Sequence, residues 1–176
     1  MIKFYTICYI SAKKQGTQLM NQATLELFST KSADDIATAL DITLQSRNES
    51  PFWLDKAIPF AKAVLSILVP LREQNLLFDP QGRFQENLTP ELFLEWMDFV
   101  SLKMLAFTIQ KSNESSKLLR TSLNETQCSS YTAVDVSVLA IYLSKYNVNM
   151  LDESLDFPIA NYNVHQGVKN VVKSLL

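Results

Sequence analysis

The residues best suited to chemistry are few and lie far apart in the 176-residue chain. His165 is the single histidine, and Cys8 and Cys128 are the two cysteines. One imidazole cannot form the paired-histidine sites that bind zinc. A nucleophilic pair of Cys128 with His165 is compatible with the sequence, but no local motif supports it. We expect two reduced thiols and, at His165, a structural hydrogen bond near the start of a helix.

The carboxylates and glycines favour structural roles. Asp152, Glu153 and Asp156 could hold a divalent cation, but they lack the spacing and the turn glycine of an EF-hand, so we expect them to be solvated. Asp34 and Asp35 lie where a helix should begin, and the helix dipole stabilises carboxylates there. The three glycines are too far apart for a P-loop or a dinucleotide fingerprint. The sequence therefore predicts no catalytic residue, no cofactor and no metal site, and the chain is not expected to be an enzyme.

The remaining candidates are side chains that bind proteins or nucleic acids. Phe93, Trp96 and Phe99 form an aromatic stripe, which either packs in the core, the favoured interpretation, or forms a groove for a partner. Three basic residues could touch phosphates but are more typical of ordinary surface charge: Lys111, Lys117 and Arg120. The net charge of -2 argues against non-specific binding to nucleic acid, which needs clustered Lys and Arg.

The composition predicts a mainly α-helical fold in one domain. Hydrophobic residues make up 47% of the chain, which is enough for a substantial core. We expect a compact bundle of about five to seven helices over 32–176. The preceding 1–31 is expected to be a linker with a short strand over 2–10, and 18–28 is compatible with a helix or an extended chain. No stretch approaches the ~20 apolar residues of a membrane span.

Capping patterns predict where the helices begin, because Ser and Thr accept hydrogen bonds from free amides and Pro suits the first helical position. The predicted starts are Ser32 with Asp35, Ser50 with Pro51, Thr89 with Pro90, Thr132 with Asp135, and a last helix from about Asn163. The third helix is expected to run unbroken from Pro90 to about Gln110. The sequence Asp79-Pro80-Gln81-Gly82 predicts a turn.

Several segments in this order resemble one known family. They are Leu25-Glu26-Leu27-Phe28-Ser29-Thr30, a short helix from Ser32 to Ala37, Pro51-Phe52-Trp53, Val69-Pro70-Leu71-Arg72-Glu73, Leu88-Thr89-Pro90-Glu91-Leu92-Phe93, and Val164-His165-Gln166-Gly167-Val168. Together they resemble the all-alpha domain of type IV secretion coupling proteins, which are FtsK-like ATPases, and within them the Dot/Icm-like branch. The chain departs from the family pattern in lacking Asn-Pro before Phe28 and in separating His165 from Gly167 by one residue.

The resemblance implies a non-catalytic domain on the cytoplasmic side of a homo-hexameric, inner-membrane ATPase. There it would receive protein cargo, a relaxase or an adaptor protein, and in conjugation the cargo is a relaxase-bound single strand of DNA. The strand over 2–10 would then belong to the sheet of a nucleotide-binding core, and the isolated domain would be a monomer. Two alternatives stay open: a free-standing helical adaptor or chaperone that binds through the Trp96 helix, and a helical enzyme with an unrecognised site.

Overall fold

The computed structural model of the chain describes residues 22–47, 49–110, 125–146 and 159–176. Within these ranges the chain is mainly α-helical and has no strand, which confirms the predicted fold class. The helices are α1 (22–30), α2 (Ala33–Gln45), α3 (Pro51–Glu73), α4 (Pro90–Glu95), α5 (Phe99–Gln110), α6 (Glu125–Thr132), α7 (Ser137–Ser144) and α8 (Ile159–Leu175). The strand expected over 2–10 lies outside the described residues.

The 23-residue helix α3 is the centre of the bundle and packs against α2, α7 and α8. Its apolar positions cover more than one face, as expected of a helix with neighbours on several sides. Its buried residues are Ala57, Phe60, Ala61, Ala63, Val64, Leu65, Ile67, Leu68, Val69 and Leu71. The helix continues through Pro59 and Pro70, neither of which is buried, so the helices on either side pack against one continuous element.

Residues 22–30 are helical, which agrees with the helical alternative left open for 18–28, and the helical body therefore includes residues before the predicted start at residue 32. Phe28 is fully buried, and its ring centroid lies 5.3 Å from that of Phe93. The Arg72 guanidinium donates hydrogen bonds to the carbonyl oxygens of Phe28, at 2.6 Å, and Lys31, at 2.9 Å. Carbonyls at a helix end lack helical partners, and a cation satisfies them well. Arg72 therefore ties α1 to α3, and α1 belongs to the helical body.

Two of the predicted caps form as expected. The Ser32 hydroxyl accepts from the amide of Asp35 at 3.2 Å, and the Thr89 hydroxyl accepts from the amide of Leu92 at 3.2 Å. Helix α3 begins at Pro51 as predicted, although the Ser50 side chain makes no capping hydrogen bond. These starts depend on neighbours in sequence, so the sequence alone could specify them.

The helix predicted from Pro90 to Gln110 is interrupted, contrary to expectation. Helix α4 ends at Glu95, and the indole of Trp96 donates to the carbonyl oxygen of Phe78 at 3.0 Å. The Asp98 carboxylate accepts from the amide of Val100 at 3.0 Å and so provides a new start for α5. The indole anchor and the new cap together favour two short helices over one long helix.

The capping box predicted at Thr132 and Asp135 is also wrong. Thr132 is the last residue of α6, and α7 begins at Ser137. The Asp135 carboxylate accepts a hydrogen bond from the amide of Ser137, two residues later, at 2.8 Å. A hydrogen bond between a side chain and the backbone over so short a separation favours a turn at that position instead of a helix. Helix α8 begins at Ile159, four residues before the predicted Asn163.

The predicted turn over 79–82 is present, with Gly82 at φ 79°. The nearly buried carboxylate of Asp79 accepts from the amides of Gln81 and Arg83, each at 2.9 Å, and from the Arg83 side chain at 2.7 Å. Burial alone would raise the pKa of Asp79, but these hydrogen bonds outweigh it and hold the pKa below its usual value. The turn precedes α4 and fixes the approach to that helix.

Helices α3 and α8 meet where Trp53 lies against Gly167. A Cβ atom built on Gly167 would lie 2.3 Å from Cη2 and 2.9 Å from Cζ3 of the Trp53 ring. Both separations are shorter than van der Waals contact, so this approach requires a residue without a side chain. Gly167 therefore sets how close α8 lies to the start of α3.

We predict that Gly167→Ala lowers the free energy of unfolding, although Ala is intrinsically better in a helix by ~1 kcal/mol. The added methyl group would displace the indole and cost more than that gain. In a Trp53→Ala background, Gly167→Ala should instead raise the free energy of unfolding by up to ~1 kcal/mol. Urea denaturation measures both effects. Asn170→Ala, at an exposed position of α8, is the matched control and should change the free energy of unfolding by the same amount in both backgrounds. Equal effects of Gly167→Ala with and without the indole would contradict this packing.

Candidate partner-binding cleft

A surface cleft of about 190 Å³ opens between α3, α7 and the first turns of α8. Asp55, Lys56 and Pro59 provide the α3 wall, because these positions fall on one side of that helix. Lys145 lies at the end of α7, and Asn161 lies in the first turn of α8. The cleft thus combines charged, amide and apolar groups from three separate helices.

The floor of the cleft is Tyr142, which hydrogen-bonds the one histidine of the chain. The Tyr142 hydroxyl lies 2.9 Å from Nδ1 of His165, and Nε2 of His165 lies 2.7 Å from the carbonyl oxygen of Met97. A carbonyl oxygen can only accept, so Nε2 carries the proton and Nδ1 accepts from the phenol. Both ring nitrogens are therefore engaged, and this assigns one tautomer to a fully buried imidazole.

Aromatic rings hold the Tyr142–His165 pair on several sides. The ring of Phe99 stacks on His165 at 3.8 Å between centroids, with an interplanar angle of 15°. The rings of Phe60 and His165 lie in a T-shaped arrangement with centroids 4.9 Å apart, and Phe60 stacks on Tyr142 at 5.0 Å. Packing of this density restricts ring rotation, so the floor of the cleft is rigid.

The electrostatics keep both members of the pair neutral at pH 7. Burial lowers the pKa of His165 from 6.5 to about 4, against the opposing effects of the Met97 carbonyl and Asp98. Burial also raises the pKa of Tyr142 far above its usual value, and the neighbouring Tyr146 adds to that effect. A general base works best with a pKa near neutrality. The pKa of His165 is moved below that range, and the pKa of Tyr142 is moved further above it. The arrangement can fix a tautomer and position a phenol, as expected of a structural hydrogen bond.

The structure places the three aromatic candidate residues in the core. Phe93, Trp96 and Phe99 are each fully buried, so in this fold they present no surface to a partner. This agrees with the core-packing interpretation and corrects the assignment of these rings as a partner-binding face. The physical reason is that each ring already has a partner inside the bundle. The other two candidates, Lys117 and Arg120, lie outside the described residues.

Cys128 and His165 are the remaining candidates for chemistry among the residues that the structure describes. Cys128 lies in α6, and His165 has no ring nitrogen left to pair with a thiolate, because Tyr142 and Met97 occupy both. Cys8 and the acidic group of Asp152, Glu153 and Asp156 lie outside the described residues. Across the part of the chain that the structure describes, no three metal-binding side chains come together.

The sequence reasoning missed the residues that line the cleft and the exposed apolar residues next to them in sequence. The ammonium of the lining residue Lys56 lies 4.8 Å from the centroid of the Phe52 ring, and Phe52 itself is 50% exposed. Ile141 of α7, one residue before the lining residue Tyr142, is 59% exposed. Apolar residues on the outer faces of two helices were the available signal, but it becomes visible only once the inner faces are known.

Comparison with protein-family models, curated proteins and solved structures finds no match for the chain. Within the described ranges, no helix combines the length and the hydrophobicity needed to cross a bilayer. The fold and the site therefore define a helical domain with a small, rigid cleft that is both charged and apolar.

We predict that the buried imidazole makes the domain less stable as the pH falls. Between pH ~6.5 and pH 4, an unfolded chain takes up a proton at His165 that the folded chain excludes, so the free energy of unfolding should decrease by up to ~3 kcal/mol. His165→Gln can still donate to Met97 and accept from Tyr142 but does not titrate. Urea denaturation at pH 7 and pH 4.5 should show a smaller loss in the variant. The same loss in both proteins would contradict a buried neutral histidine.

Proposed function

We propose that this chain is a protein-recognition domain of the kind found in type IV secretion coupling proteins. In this proposal it binds protein cargo, a relaxase or an adaptor through the cleft between α3, α7 and α8. The observation that carries the proposal is the construction of that cleft, in which a closely packed aromatic floor lies among charged and apolar lining side chains. A rigid site loses little conformational entropy when a partner binds, and this favours recognition.

The segments that resemble the coupling proteins contact one another in the folded chain, which supports the proposal. Phe28 packs on Phe93, and Arg72 hydrogen-bonds the Phe28 carbonyl, so three of the segments meet where α1, α3 and α4 join. Trp53 lies on Gly167, so two further segments meet where α3 and α8 join. The resemblance thus rests on residues that decide how the helices pack.

The alternative adaptor would bind through the Trp96 helix and receives less support. Phe93, Trp96 and Phe99 would have to leave the core, and removing a buried aromatic ring costs several kcal/mol. The alternative enzyme would depend on His165, whose two nitrogens are occupied inside the bundle.

The proposal predicts site-specific contact with a defined class of proteins. A photo-crosslinking amino acid at Ile141, an exposed position one residue before Tyr142 of the cleft, should capture a type IV secretion substrate, a relaxase or an adaptor in the source cells. The matched control is the same amino acid at Ile42, which is 67% exposed on α2. Mass spectrometry should identify such a protein from position 141 and not from position 42. Equal capture at both positions, or capture of unrelated proteins only, would overturn the proposal.

A second measurement tests the non-catalytic role that the resemblance implies. The purified chain should neither bind nor hydrolyse MgATP, and coding sequence on its two sides should encode Walker A and Walker B motifs. Tight nucleotide binding by the isolated chain would refute the assignment. A labelled single-stranded oligonucleotide, followed by fluorescence anisotropy, tests the contact with DNA that the resemblance also implies in conjugation.

A further inference from the structure

We propose that the cleft binds an acidic segment of a partner protein that inserts one apolar side chain between the helices. This inference rests on the proposed recognition function and deepens it, because it assigns the chemistry of the segment that is recognised. It is carried by the size of the cleft, its charge and the rigidity of its floor.

The size of the cleft suits a single side chain. Its volume of about 190 Å³ is below the ~300–1,000 Å³ typical of sites for small molecules and cofactors. Pro59 of α3 and Val164 of α8 contribute apolar groups to the lining together with the Tyr142 ring. One aliphatic or aromatic residue would be enclosed there, and the rest of the bound segment would lie along the rim. The exposed ring of Phe52, 4.8 Å from the Lys56 ammonium, adds apolar surface beside the cleft.

The charge of the cleft favours carboxylates beside that apolar residue. Lys56 and Lys145 both line it, and neither forms an ion pair with a described residue. In contrast, Lys62 and Lys169 are paired with Asp34 and Asp98. Unpaired ammonium groups beside a concave surface attract acidic partners and fix their register.

Two further features of the cleft fit a peptide. Helix α8 begins at Ile159, so the positive end of its dipole lies at the same end of the cleft as Asn161. Asp55, the one carboxylate among the described lining residues, can accept a hydrogen bond from a backbone N–H of the bound segment. The carboxylates of an acidic segment would therefore pair with the lysines of the cleft, and a backbone N–H of the segment would pair with Asp55. No charged group would be buried without a partner.

The rigid floor lowers the cost of binding. Tyr142 cannot rotate away without losing its hydrogen bond to His165 and its stacking on Phe60. The apolar side chain would therefore meet a surface that is already ordered, and the entropy cost falls mainly on the incoming segment. Lys56 is positioned too, because its ammonium lies over the Phe52 ring.

The test is a titration of the ¹⁵N-labelled chain, followed by NMR, with a blocked peptide that has one Leu between two pairs of Glu. Amide signals of the first turns of α3, of α7 and of the first turns of α8 should shift, with a Kd on the order of 1 mM. A peptide with Ser in place of Leu should bind at least ~5-fold more weakly, because it fills no apolar cleft. A peptide with Lys in place of Glu should not shift these signals. Equal binding of the three peptides would overturn the inference.

Charge reversal in the protein gives the matched control. Lys56→Glu combined with Lys145→Glu should weaken binding of the acidic peptide at least ~10-fold and make the Lys peptide the better ligand. Lys173→Glu, at an exposed position of α8 away from the cleft, should leave the Kd unchanged within ~2-fold. Thermal denaturation of each variant checks that it is folded. Equal losses in the double variant and in the control would show that the site lies elsewhere and would sink the inference.

The outcome separates this inference from the proposed function. If Ile141 crosslinks to a type IV secretion protein and that protein still binds the double Lys→Glu variant normally, recognition stands and the acidic-segment chemistry is wrong. If the cleft signals shift when the unliganded chain alone is concentrated, a second copy of the chain occupies the cleft, and the assignment of a partner protein fails. Specific shifts with the acidic peptide and loss in the double variant support the inference, whichever system supplies the partner.

Discussion

The fold depends on one neutral imidazole at the crossing of several helices. His165 of α8 donates to the Met97 carbonyl, which lies in the break between α4 and α5, and accepts from Tyr142 of α7. An aliphatic side chain of similar size would fill the space but would leave a buried carbonyl and a buried hydroxyl without partners. Phe60 of α3 and Phe99 of α5 close around the ring. One side chain thus sets the relative positions of α3, α5, α7 and α8.

The cleft follows from this arrangement. Tyr142 has its ring between the interior and the surface, so the hydrogen bond that orders the core also orders the floor of the cleft. A binding surface built in this way takes its rigidity from the stability of the whole domain. The walls are helices, which hold side chains with more precision than loops do. The site is therefore an outward extension of the core packing between α3, α7 and α8.

The sequence predicted the features that neighbouring residues decide. The caps at Ser32 and Thr89 and the buried face of α2 depend on spacings of three and four residues, and all were found as expected. The break after Trp96 depends on the carbonyl of Phe78, in a separate turn, and α1 depends on Arg72 of α3. The cleft joins α3 to α7 and α8, which follow it only after a long intervening stretch of chain, so no local pattern could reveal it. Contacts distant in sequence account for most of what the pattern missed.

The proline within α3 has a chemical consequence for the cleft. Pro59 has no N–H, so it cannot donate to the carbonyl oxygen of Asp55, four residues earlier. Both residues line the cleft, so the α3 wall lies where one backbone hydrogen bond of the helix is missing. Because the helix is nevertheless continuous from Pro51 to Glu73, its packing against the neighbouring helices has to compensate for that bond.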